Sequence, residues 1–155
     1  MIHTLVRDWM TNEPLIVKPD ISITEAYQLM IENQIRRLPV IGKDKLVGMV
    51  TLSDLYKVKP FDTVSISLLE ITQQVSNMTV DEVMAPEPIT VMDDMTVGEA
   101  AQLMLEYRIS GLPVIDRAES LVGIITESDI FRIVIQEWTT RKHGSLHIPR
   151  KSESE

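Results

Sequence analysis

The chain contains nearly the same sequence twice. Residues 6–41 align with residues 80–115 with 17 identities in 36 positions, and residues 46–57 align with 121–132 with 6 identities in 12. Neither copy is large enough to bury a good core alone, because a short chain buries only a modest share of its surface. The duplication therefore predicts two halves that pack together with approximate two-fold symmetry and leave two related clefts between them.

The matching segments divide the 155 residues into four regions. Repeat 1 is predicted to cover residues 1–57 and repeat 2 to cover residues 78–140. Residues 58–77 are predicted to form a linker that holds one helical segment near 68–75. Residues 141–155 are polar and charged, which is typical of a disordered terminal tail.

Both repeats show the same order of predicted elements. A short helical turn precedes an extended segment (15–17 or 89–91), an amphipathic helix, two strands and a closing helix. The strands are predicted at 38–41 and 46–51 and again at 112–115 and 121–126. Each amphipathic helix follows Ser22 or Thr96, and Glu25 or Glu99 comes three residues later at the spacing of a capping box. The order β-α-β-β-α predicts an α/β (α+β) sandwich of two tandem repeats that pack through their sheets.

Composition excludes several classes of function. The net charge is −8, and residues 78–140 carry 3 basic and 12 acidic side chains, for a net charge of −9. Such a surface repels nucleic acid. Apolar runs are too short to span a membrane, and the N-terminus lacks a signal-peptide pattern. With no cysteine as well, a cytoplasmic protein is expected. No catalytic constellation or phosphate-binding glycine loop is evident, so we expect no enzyme activity.

A hydroxyl and a carboxylate stand at the end of the second strand in both repeats. A hydroxyl and free backbone N–H groups at the start of a helix can hold phosphate or sugar oxygens. The same residue types are also the commonest helix N-caps, and the two roles can coexist. The two groups consist of Thr51, Ser53 and Asp54 in repeat 1 and Thr126, Ser128 and Asp129 in repeat 2.

Read together, these motifs resemble a known family. The elements Val-x-x-x-Met, Pro-x-x-Val, Ile-x-x-Leu-Pro-Val-Ile and Leu-Val-Gly-x-x-Thr-x-Ser-Asp occur twice in the same order over residues 5–137. Each repeat resembles the CBS domain, and the pair resembles a Bateman module. The resemblance implies a regulatory, non-catalytic sensor that binds adenosine-containing ligands in clefts between the repeats. It also implies a homodimer and a regulated partner protein that the sequence does not identify.

The resemblance further implies roles for individual residues. The Thr and Asp of each group would hold the phosphate and the ribose. The slot for the base would be formed by the other repeat, although each of its apolar residues is on general grounds more often simply core. The slot facing Asp54 would use Met95, Ala100, Ile109 and Ser110, and the slot facing Asp129 would use Ile21, Ala26, Ile35 and Arg36.

The two repeats differ in charge just before the first strand of the hairpin. Repeat 1 has Arg36 and Arg37 where repeat 2 has Ser110 and Gly111. A guanidinium fits phosphate oxygens in charge and geometry, although two surface arginines can also simply pair with nearby carboxylates. We expect the cleft with Asp54 and both arginines to prefer AMP, ADP or ATP, with Mg²⁺ as an optional companion. The Asp129 cleft should be empty, weaker or suited to a less anionic adenosine compound.

The sequence leaves alternatives open. One is a sensor of S-adenosylmethionine or NADH in place of AMP or ATP. Another is a dimerisation or interaction module that works without any ligand.

Overall fold

Repeat 1 has the predicted helices and the predicted central hairpin. The computed structural model describes residues 4–58 and 77–143, so the predicted linker helix and the end of the predicted tail lie outside the described residues. After a 3-10 turn at Val6–Asp8, the elements of repeat 1 are β1 (Thr11–Asn12), α1 (Ile23–Glu32), β2 (Arg37–Gly42), β3 (Lys45–Thr51) and α2 (Leu52–Val58).

Repeat 2 has the same architecture with one more named strand. Following a 3-10 turn at Val80–Glu82, its elements are β4 (Ala85–Pro86), β5 (Val91–Met92), α3 (Val97–Tyr107), β6 (Gly111–Ile115), β7 (Leu121–Thr126) and α4 (Glu127–His143). Helix α4 extends three residues past position 140, where repeat 2 was predicted to end.

Helices α1 and α3 form where the apolar spacing and the caps predict them. The buried positions Ile23, Ala26 and Met30 follow steps of three and four residues, which place them on one helix face. The N–H of Glu25 donates to Ser22 Oγ at 3.1 Å. In repeat 2 the capping box is complete, because Thr96 and Glu99 bond to each other's backbone N–H groups.

The central hairpins set the geometry of both repeats. Strands β2 and β3 are antiparallel with Arg37 opposite Thr51. Strands β6 and β7 pair in the same way with Gly111 opposite Thr126. Each hairpin has a register shift directly after its Pro-Val pair. The shift lies between Val40 and Ile41 in repeat 1 and at the equivalent position in repeat 2. The duplicated sequence therefore gives duplicated strand registers.

The strands that precede the helices differ from the prediction. Two short strands were not predicted, and each pairs with the opposite repeat: β1 with β7 and β4 with β3. The resulting sheets have the orders β1-β7-β6-β5 and β2-β3-β4. In the predicted extended segments, Val17 makes an isolated parallel bridge to Val40, and β5 pairs in parallel with β6. Strands β1 and β4 were not predicted because each is only two residues long, which is too short to show strand periodicity in the sequence.

The hydrophobic core of each repeat includes a buried valine from the other repeat. Val6, at the start of repeat 1, lies in a cluster whose other buried members all come from repeat 2. Val80, at the start of repeat 2, lies in the cluster of repeat 1. Both valines are fully buried. Each core is therefore completed by a side chain from the other repeat.

Candidate functional site

The Thr51–Asp54 group is held rigid at the junction of β3 and α2. The backbone N–H and the hydroxyl of Thr51 donate to Asp54 Oδ2 at 2.9 Å and 2.7 Å, and the N–H of Asp54 donates to Thr51 Oγ1 at 3.2 Å. One carboxylate oxygen thus serves as the helix cap. The other, Oδ1, lies 3.6 Å from Lys57 Nζ, and the Asp54 side chain is 24% exposed. Capping therefore leaves Oδ1 able to accept from a ligand hydroxyl.

The Thr126–Asp129 group shares the two hydrogen bonds from Thr to Asp Oδ2 but has a different second partner. The N–H and hydroxyl of Thr126 both donate to Asp129 Oδ2 at 2.8 Å. Asp129 Oδ1 accepts from Arg132 Nη1 at 2.6 Å, and the Asp129 side chain is only 6% exposed. The carboxylate of repeat 2 is therefore buried and closely paired, whereas that of repeat 1 is partly exposed and lies farther from its basic partner.

Arg37 crosses from repeat 1 to repeat 2. Its Nη2 donates to Ser110 Oγ at 2.8 Å. The guanidinium lies on Gly111, since a Cβ atom at position 111 would stand 2.8 Å from Arg37 Cζ. Burial lowers the pKa of Arg37 from its ordinary value, and the carboxylates of Glu127 and Asp129 act in the opposite direction. The side chain remains a cation, because guanidinium groups do not deprotonate in proteins.

Arg36 and Ser110 occupy equivalent places in the two repeats. The carbonyl of Arg36 accepts from the N–H of Leu52 at 2.8 Å, and the carbonyl of Ser110 accepts from the N–H of Glu127 at 3.1 Å. Both side chains are exposed. Each residue therefore ties the start of a hairpin strand to the first turn of the closing helix, next to a Thr–Asp group.

The apolar residues predicted for the base slots lie on or beside the two cores. Ala26 and Ala100 are fully buried members of the clusters. The rest are partly buried against the same clusters: Met95 and Ile109 in repeat 2, and Ile21 and Ile35 in repeat 1. Their role in holding a base stays a prediction. Ser53 and Ser128 are exposed within the first turns of α2 and α4.

Three charged residues near the carboxylates were missed in the sequence. Lys57 and Arg132 each follow an Asp by three residues, which places them on the same helix face as that Asp. Glu127 replaces Leu52 of repeat 1 and contributes to the electrostatics of Arg37. The spacing of three was the available signal for the first two. Nothing in the sequence pointed to the electrostatic influence of Glu127 on Arg37, because it acts across the repeats.

An open cavity of about 390 Å³ contains none of the predicted residues. It is lined by Arg7, Asp93, Asp94, Asp116, Arg117 and Ala118. Three of its polar side chains have partners: Arg117 pairs with Asp94 at 3.1 Å, and Asp116 accepts from two backbone N–H groups of its own turn. Within residues 4–58 and 77–143 no cluster of three or more acidic or histidine side chains could hold a metal ion. No helix in that part of the chain has the length and hydropathy of a membrane span.

The fold matches solved structures. The structure of CBSX2 of Arabidopsis thaliana in complex with AMP is 32% identical, with a TM-score of 0.72 over 87% of this chain and 98% of that chain. The CBS domain pair of MJ0100, solved with 5′-methylthioadenosine and S-adenosyl-L-methionine, is also 32% identical, with a TM-score of 0.71 over 86% of this chain and 98% of that one.

Relatives in sequence include much longer enzymes. The L-aspartate semialdehyde sulfurtransferase of Methanocaldococcus jannaschii is 34% identical over 131 residues, which are 84% of this chain and 23% of that protein. The chain spans about a quarter of the length of such relatives. The model of the CBS domain matches residues 6–60 and 80–136. The chain belongs to the CBS domain family and carries two CBS domains in tandem.

Proposed function

We propose that this CBS pair is a non-catalytic regulatory module that binds AMP, ADP or ATP between its repeats. The observation that carries the proposal is the fixed carboxylate of Asp54, whose Oδ1 remains accessible while Oδ2 caps the helix. A carboxylate oxygen in that position suits the hydroxyls of a ribose. Support comes from the two similar structures above, one solved with AMP and the other with two adenosine compounds.

The two Thr–Asp groups are not equivalent in this proposal. Asp54 is the better ribose acceptor, because Asp129 is buried and bonded to Arg132. Arg36 and Arg37 supply positive charge to repeat 1, while Glu127 adds negative charge beside Asp129. The Asp54 cleft should therefore prefer phosphate-bearing nucleotides. The Asp129 cleft should be empty, weaker or used by a less anionic compound.

S-adenosylmethionine is the second candidate ligand. It is favoured by the MJ0100 pair, which was solved with this compound. A positive sulfonium also suits the acidic surroundings of repeat 2. NADH and a ligand-independent module are the other outcomes that the binding experiment separates.

Signalling would require a second subunit or partner that reads a conformational change. A ligand shifts such an equilibrium only when it prefers one arrangement of the repeats. Helix α4 exposes an apolar stripe with helical spacing, which supports a homodimer. The stripe consists of Phe131, Val134, Ile135 and Trp138, whose side chains are 42–64% exposed. Ile135→Glu should therefore lower the molecular mass measured by analytical ultracentrifugation to that of one chain. An unchanged mass would contradict a homodimer formed through this stripe.

The proposed compartment of this module is a reducing one. The chain has no cysteine and needs no disulfide, which fits a module that works in the cytoplasm.

Thermal unfolding with added ligands tests the function. AMP, ADP, ATP, S-adenosylmethionine and NADH are added separately, with and without Mg²⁺, to the wild type and to Asp54→Asn and Asp129→Asn. The amide keeps one oxygen as cap acceptor and replaces the other by a donor. Asp129→Asn also loses the ion pair with Arg132, so each ligand shift is measured against the same variant without ligand. A bound ligand stabilises the folded state by about 2.7 kcal/mol at a hundredfold excess over its Kd.

The expected result is a shift with AMP or ATP that is lost in Asp54→Asn and kept in Asp129→Asn. A shift only with S-adenosylmethionine or NADH selects the second candidates. The absence of a shift with all five compounds would contradict the sensor function and favour a ligand-independent module.

A further inference from the structure

Arg37 and Gly111 are equivalent positions of the two repeats, and they lie against each other. Arg37 pairs with Thr51 in β2–β3, as Gly111 pairs with Thr126 in β6–β7. Residues that are related by a two-fold axis and also touch must lie close to that axis. The guanidinium of Arg37 is therefore placed where the two repeats meet, and the missing side chain of Gly111 makes the room for it.

Arg37 thus spans the space between the two Thr–Asp groups, with its backbone opposite Thr51 and its guanidinium against Gly111, the partner of Thr126. The backbone of Arg37 adjoins Thr51, while its Nη2 reaches Ser110, whose carbonyl is bonded to the first residue of α4. Repeat 2 supplies no second guanidinium at the equivalent position, since Gly111 stands there. It supplies the carboxylates of Glu127 and Asp129, which attract the guanidinium, although Asp129 is also paired with Arg132.

We propose that Arg37 is shared by the two clefts, so that the pair holds one phosphate-bearing nucleotide at a time. The inference rests on the function proposed above and adds its stoichiometry. A guanidinium fork pairs well with one phosphate. If a second nucleotide entered the other cleft, its phosphate would find Arg37 already bound to the first phosphate. It would also lie near the carboxylates of repeat 2. A second adenosine compound must then be neutral or cationic at that end.

The alanine variant of Gly111 provides a second probe of the same contact. A Cβ at this position would also stand 3.1 Å from Arg37 Cδ. The flexible arginine side chain must move away, but the charge stays in the protein. Gly111→Ala should therefore keep the binding of the first AMP. The bound AMP should then no longer exclude a second AMP from the other cleft.

Isothermal titration calorimetry of AMP and of adenosine tests the sharing. The proteins are the wild type, Arg37→Met, Gly111→Ala and the control Arg117→Met, an arginine whose side chain is 86% exposed and paired with Asp94. We expect the wild type to bind one AMP per chain, and the AMP-saturated protein to accept adenosine but no second AMP. Arg37→Met should weaken AMP by about tenfold or more, since a charged hydrogen bond is lost. The affinity for adenosine should stay within about twofold of the wild-type value in both Arg37→Met and Arg117→Met.

The outcomes separate the sharing from the proposed function. Two AMP molecules per chain with equal affinity would overturn the sharing and leave the sensor function standing. Equal losses of AMP and adenosine in Arg37→Met would also overturn it, because they would mean a structural role for Arg37. If neither AMP nor adenosine bound the folded wild type, the proposed binding of AMP, ADP or ATP would fail and the sharing with it.

Discussion

Val6 and Val80 each complete the hydrophobic core of the repeat to which they do not belong. Both are fully buried, and their backbone N–H groups are held across the repeats as well. Val6 N–H donates to the carbonyl of Met95, and Val80 N–H donates to that of Ile21, each at 2.9 Å. The two cores are therefore interlocked, and neither repeat can unfold without opening the core of the other.

We predict that Val6→Ala and Val80→Ala each destabilise the whole protein by about 2 kcal/mol. The loss combines the transfer of two methyl carbons with the cavity that remains. Urea unfolding should show one cooperative transition with an unchanged slope. Leu105→Ala is the control, since Leu105 lies outside the α4 stripe and is 81% exposed, and it should change stability by less than about 0.5 kcal/mol. Two separate transitions would contradict the interlocking of the cores.

A side chain at Gly48 or Gly123 should weaken the strand pairs that join the repeats. A Cβ at Gly48 would stand 2.9 Å from Met84 Cγ and 3.1 Å from the carbonyl of Ala85, and Gly123 is crowded in the same way by Met10 and Thr11. Gly48→Ala and Gly123→Ala should each cost about 1–3 kcal/mol, since the backbone cannot yield easily.

Gly98→Ala is the control for those two substitutions. Gly98 is exposed in the first turn of α3, and the nearest atom to its added Cβ would be 3.9 Å away. Alanine should raise stability there by about 0.5–1 kcal/mol through helix propensity and a less flexible unfolded chain. Equal effects of all three substitutions in urea unfolding would show that the crossing strands contribute nothing specific.

Removing Arg132 should cost more than removing Arg117. Both form close ion pairs, but Asp129 is buried while Asp94 is 37% exposed. Arg132→Gln should destabilise by about 1–2 kcal/mol, a value reduced because Arg132 is half exposed. Arg117→Gln should change stability by less than about 0.5 kcal/mol. Thermal unfolding of the two variants side by side measures the difference, and similar losses would mean that the burial of Asp129 adds nothing.

The capping box of α3 should make stability depend on pH. Hydrogen bonds from Thr96 lower the pKa of Glu99 below its ordinary value of 4.5. A lowered pKa means that the stabilisation is present above the unfolded value and is lost as the pH falls through the folded value. The stability difference between wild type and Glu99→Gln should therefore be constant near neutral pH and shrink below about pH 4.5.

Urea unfolding across a pH series measures this effect. In a Thr96→Ala background, which removes the hydroxyl donor, the pH dependence of the same comparison should be smaller. An unchanged pH dependence in that background would contradict the role of Thr96.

The sequence predicted the parts of the fold that depend on local spacing. Helices α1 and α3 and both central hairpins follow from apolar periodicity, caps and turns within each repeat. Strands β1 and β4 were missed because they are two residues long and pair with the opposite repeat. The crossing of Val6 and Val80 was missed for a related reason. A valine at the head of a repeat fits either core equally well in sequence.

The candidate site was predictable in composition but not in its connections. The Thr–Asp pairs stand at strand ends as expected, because a strand–helix junction needs a cap. The burial of Asp129 and its bond to Arg132 distinguish the two groups, and neither follows from two nearly identical motifs. The reach of Arg37 to Ser110 depends on how the repeats face each other, which no pattern within one repeat contains.

The contact of Arg37 with Gly111 also limits how alike the two copies can be. A tandem of two identical first repeats would place a guanidinium on both sides of the same small space, and a tandem of two second repeats would leave that space without charge. The present contact therefore requires the two copies to differ at this position, because one side chain fills the space that its counterpart leaves.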